Sequence, residues 1–61
     1  MTKSETRELS NIERYIRAGM TDTAARAASA LYRSARTVKS QNAILAFSMA
    51  YSLVSNSQWI Q

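Results

Sequence analysis

Apolar side chains recur along the first third of the chain at steps of three and four: Leu9, Ile12, Ile16 and Met20. That spacing places them on one face of a helix. Thr2 and Glu5 precede this face with the T-x-x-E spacing of a capping box, in which each side chain accepts from the other residue's free backbone N–H. Glu13 and Arg17 stand four apart in the favourable order. Gly19, the one glycine in the chain, marks the stop, because glycine reaches the left-handed C′ conformation without steric cost. The pattern predicts a first helix over about 3–18.

A second helix is predicted over about 22–39. Thr21 or Asp22 can accept the orphan N–H groups of its first turn, and Asp22 can pair with Arg26 one turn on. Its apolar face reads Ala24, Ala28, Leu31, Ala35, Val38, a seam narrow enough for another helix to approach closely. A third helix is predicted over about 41–55, its apolar pattern running from Gln41 to Val54 with Ser40 as a candidate cap. Thr37 to Asn42 contains neither glycine nor proline, so one continuous helix of about 33 residues competes with two shorter ones; the usual helix length in globular domains favours a break. Residues 56–61 read as a short polar tail interrupted by Trp59 and Ile60.

The chain lacks proline and cysteine. β-branched alternation and hairpin turn dipeptides are also missing, so strands are not expected. The fold class is all-α, a small bundle of three helices in a single domain, 1–61. A chain this short hides only about 60 % of the surface its unfolded form exposes. With no disulfide available, association is the expected additional support, and a homodimer is the simplest form of it. The longest apolar-rich run, Ala43 to Val54, is too short to cross a bilayer, which takes about 20 residues. The N-terminus has no secretory character, and the lack of cysteine suits a reducing compartment. The expected location is the cytoplasm, without membrane contact.

Charge changes the picture in the second half. Residues 1–22 carry four acids and four bases, whereas residues 23–61 carry Arg26, Arg33, Arg36 and Lys39 and no acid, so the whole net charge of +4 lies there. On a helix extended to residue 39, Arg26, Arg33 and Arg36 fall in one sector with Ser29, Thr37 and Ser40, and Lys39 lies beside them. Arginine forks with interspersed hydroxyls are what phosphate recognition uses; a solvated polar face would carry the same pattern. In the third helix, apolar residues take up well over half of the circumference, and Gln41, Ser48, Ser52 and Ser55 form the one polar strip. A helix that is apolar nearly all round is expected to be surrounded.

Chemistry narrows the function further. Without histidine or cysteine, and with four carboxylates, no metal site or cofactor is expected. The serines have no lysine or carboxylate at a suggestive spacing, so no activated nucleophile is expected. The sequence therefore predicts a small non-enzymatic helical binding protein. It would act as a regulator, adaptor or inhibitor through protein–protein contacts of the third helix. The candidate interface residues are Leu31, Ala35, Phe47, Tyr51, Val54 and Trp59, with Arg26, Arg33, Arg36 and Lys39 as a basic rim facing an acidic partner. The alternative is a basic homodimer contacting nucleic-acid phosphates through Arg26, Arg33 and Arg36. The expected partners are a second copy and another macromolecule, with protein favoured over nucleic acid, and no small-molecule substrate.

Overall fold

The computed structural model describes residues 1–60. Its element order is α1 (Lys3–Arg17), α2 (Thr21–Ser34), α3 (Val38–Ala50) and a single 3₁₀ turn, Leu53–Ser55, with no strand among the described residues. The body measures 28 × 22 × 16 Å. Among the described residues, no helix is long and apolar enough to cross a membrane.

α1 begins and ends as its sequence dictates. The Thr2 hydroxyl accepts from the Glu5 backbone N–H at 3.1 Å, and the Glu5 carboxylate accepts from the Thr2 N–H at 2.8 Å. At the other end Gly19 takes φ +78°. The Met20 N–H donates to the Tyr15 carbonyl and the Gly19 N–H to the Ile16 carbonyl, the two bonds of a Schellman ending. Glu13 and Arg17 form the expected ion pair, 3.7 Å apart.

α2 departs from expectation at both ends. Met20, not Thr21 or Asp22, is the N-cap, and no side chain caps it. The helix stops at Ser34, and Ala35 is already extended at ψ 135°. α2 and α3 are therefore separate helices. The break comes earlier than glycine-free, proline-free sequence indicates because Thr37 is extended and its hydroxyl accepts from the Ser40 N–H at 3.1 Å. Thr37 is thus the cap that starts α3, and Ser40 lies inside the helix.

α3 ends at Ala50, several residues before the predicted end. Ser52 adopts the left-handed conformation, φ 60°, and its N–H returns to the Met49 carbonyl at 3.1 Å. Residues 53–60 then form a C-terminal arm.

The core gathers around α2, which packs against α1, α3 and the 3₁₀ turn. Ile12, Ala24, Ala25, Ala28, Leu53 and Trp59 form one buried cluster, with Leu9, Tyr15, Ile16, Leu31, Tyr32, Leu45, Phe47 and Val54 packed around it. The alanine seam is real at Ala24 and Ala28, where small side chains let neighbours approach, but it ends with the helix. Leu31 and Ala35 are half-buried, and Val38 is 70 % exposed.

Carboxylates tie the elements together. The Ser40 hydroxyl donates to Glu5 at 3.0 Å, and the Tyr51 hydroxyl donates to Glu13 at 3.0 Å. Both ends of α3 are thereby fastened to α1, which runs beside it in the same direction. Asp22 accepts from Asn56 of the arm at 3.0 Å and forms no ion pair with Arg26.

Candidate interaction surface on α3

α3 is turned inside out relative to its sequence pattern. At about 100° per residue, Ser40, Ile44 and Ser48 share one face, and all three are buried. The opposite face carries Val38, Asn42, Ala46 and Met49, flanked by Lys39, Ala43 and Ala50, and all seven are exposed. The predicted polar strip thus contains a residue, Ser48, that is wholly inside the protein. The reason is local chemistry. The Ser48 hydroxyl donates to the Ile44 carbonyl at 2.7 Å and the Ser40 hydroxyl to Glu5. A satisfied serine is small and inexpensive to bury.

The outward face is apolar except at Asn42 and Lys39. Met49 is 60 % exposed, and Tyr51 extends the surface past the helix end, its ring 4.8 Å from that of Phe47. Phe47 itself is half-buried at the edge. Hydrogen bonding to Glu13, followed by that carboxylate's charge, raises the Tyr51 hydroxyl above its ordinary pKa, so the phenol stays a donor there.

The other candidate interface residues are distributed differently. Val54, like Leu31 and Phe47, packs against the core cluster. Trp59 is 8 % exposed and belongs to that cluster, with its ring 5.8 Å from that of Tyr32. In this fold it anchors the arm to its own chain.

The basic stripe does not assemble as predicted. Arg26, Arg33, Arg36 and Lys39 are all exposed, but Arg36 lies in the connection after α2 and Lys39 on α3, so the helical projection that unites them does not apply. Ser29 and Ser40, expected among the arginines, are buried. The arm occupies this side of α2. Arg26 donates to the Gln58 side chain at 2.8 Å, and Arg33 borders a cleft of about 300 Å³ with Tyr32, Leu45, Trp59 and Ile60.

The covering by the arm is what sequence inspection misses. The Ser29 hydroxyl donates to the Ile60 carbonyl at 2.7 Å and accepts from the Ile60 N–H at 3.0 Å. Asp22, Arg26 and Ser29 meet residues 56, 58 and 60 in that order, so the arm runs along α2 in its own direction. The only sequence signal for this is the isolated Trp59–Ile60 pair in a polar tail.

No protein-family model, curated protein or solved structure matches this chain.

Proposed function

We propose that the chain is a small interaction protein, a regulator or adaptor acting by binding, and that the outward face of α3 is its contact surface. One observation carries this reading: α3 buries two serines and exposes valine, methionine and three alanines. In a helix with nothing to bind, the satisfied serines and the exposed apolar residues would gain by changing places. The alanines leave room for a partner helix to lie close, as apolar grooves accept amphipathic helices. Lys39, exposed beside this face, and the net charge of +4 favour a partner with an acidic rim, where charge acts mainly on the rate of encounter. A second copy is one candidate partner. Contact with nucleic-acid phosphates has less geometric support, since Arg26 is engaged by Gln58 and Arg36 lies off α2.

The test is the double variant Ala46→Arg, Met49→Glu. Both positions are exposed, so helix content by circular dichroism should stay at the wild-type level. Proteins recovered with the wild type from its own cells should be lost with the variant. If the same partners persist, the face is not the contact surface.

A further inference from the structure

The C-terminal arm closes onto a receptor surface that any second copy carries in identical form. Its polar partners are Asp22, Arg26 and Ser29 and its aromatic partner is Tyr32, all on α2. Arm and receptor are therefore two separable surfaces joined through one short connection. That connection is where sequence and fold disagree. Ala50 to Val54 contains neither glycine nor proline, and its apolar pattern continues that of α3. The fold nevertheless breaks the helix at Ser52, a non-glycine residue held at φ 60°. Left-handed backbone is unfavourable for any residue with a Cβ, and it persists only where tertiary contacts over-determine it. Here those contacts are the burial of Leu53 and Trp59 and the bonds to α2.

We propose that the arm exchanges between two copies of this chain. When α3 continues through Ser52 as regular helix, the strained residue relaxes and residues 53–60 are carried away from their own α2. The exposed slot then needs a segment with a tryptophan, a backbone amide and carbonyl for Ser29, and amide side chains for Asp22 and Arg26. The arm of a second copy supplies all of them, and its own slot takes the first arm in return. The result is a closed two-fold dimer in which each core is completed by the other chain. The bonds at the arm are the same in both forms, so the conformation of Ser52 tilts the balance. This exchange does not rest on the outward face of α3.

The chain has no cysteine, which permits a direct test. In the variant Arg26→Cys, Gln58→Cys the two thiols replace side chains that touch across arm and receptor. Isotopically heavy and light chains are unfolded, mixed, refolded at millimolar concentration and treated with a short bismaleimide that spans the two thiols, and the crosslinked 26–58 peptides are read by mass spectrometry. Exchange gives peptides with one heavy and one light half; a closed monomer gives only matched halves. Single-cysteine variants set the background of random pairing. Ser52→Ala, which favours continued helix, should raise the mixed fraction several-fold. Ser52→Gly, which favours the left-handed turn, should lower it. Should Ser52→Ala fail to fold, the glycine variant decides alone. Ala46→Arg should leave the mixed fraction unchanged, which separates this exchange from association through α3. Mixed peptides no more abundant than the single-cysteine background, or a mixed fraction unmoved by Ser52→Gly, would overturn the proposal.

Discussion

Ser29 and Ser48 are both buried, yet their hydroxyls do opposite work. Ser29 holds the backbone N–H and carbonyl of Ile60, thirty-one residues away. Ser29→Ala leaves both groups without that partner, and we expect a loss of about 1–3 kcal/mol in urea denaturation. Ser48 only returns a bond to the Ile44 carbonyl one turn back in its own helix. Ser48→Ala orphans nothing and gains helix propensity, so it should stay within about 0.5 kcal/mol of the wild type or be stabilising. Equal losses in the two variants would contradict this distinction. Glu5 makes a third residue-scale prediction. Its pKa lies below the ordinary 4.5, chiefly because the Thr2 backbone N–H donates to it; the Ser40 and Thr2 side-chain bonds act the same way, against a desolvation effect that raises it. The folded protein therefore binds this proton less readily than the unfolded chain. The contribution is fully present above the unfolded value and is lost as pH falls through the lower folded value. A pH series of denaturation midpoints should show a stability decline below about pH 4.5 that is shallower in Glu5→Gln.

At the scale of elements, the sequence is legible where one residue type has one local use. Thr2 with Glu5 and the lone Gly19 mark α1 to within a residue, because both act on backbone a few positions away. The end of α2 and both ends of α3 depend on Thr37 and Ser52, residue types equally at home inside helices, and their conformations are set by packing. Thr37→Ala should cost about 1 kcal/mol through loss of the cap on α3, measured by thermal or chemical unfolding; no change would mean the helix start is fixed by other contacts. The facing of α3 is illegible for a different reason. Alanine and serine differ little in size, and whether a serine is satisfied depends on partners such as Glu5, thirty-five residues away. The large aliphatic residue on the inner face settles the matter: Ile44 is wholly buried, and Ile44→Ala should cost about 2–5 kcal/mol. Leu31, half-buried on α2, should cost less when cut to alanine, and the reverse order would argue for a different orientation of α3.

For the whole molecule, the arm decides whether three short helices have a finished core. Leu53 and Trp59 lie in the same cluster as Ile12 and the α2 alanines, so fluorescence of the single tryptophan and helix content should report one coincident unfolding transition. A fluorescence change well before the loss of helix would show that the arm opens alone. The same arrangement bears on how the protein is made. Synthesis proceeds from the N-terminus at about 5–20 residues per second, and the groups that cover α2 are translated after all three helices. Until residues 53–60 leave the ribosome, Asp22, Arg26 and Ser29 lack the partners that the arm brings them. A nascent chain halted after Tyr51 therefore displays an unfinished core, the state in which chaperones and proteases find their substrates. Folding of the three helices is, for this protein, completed by the segment translated after them.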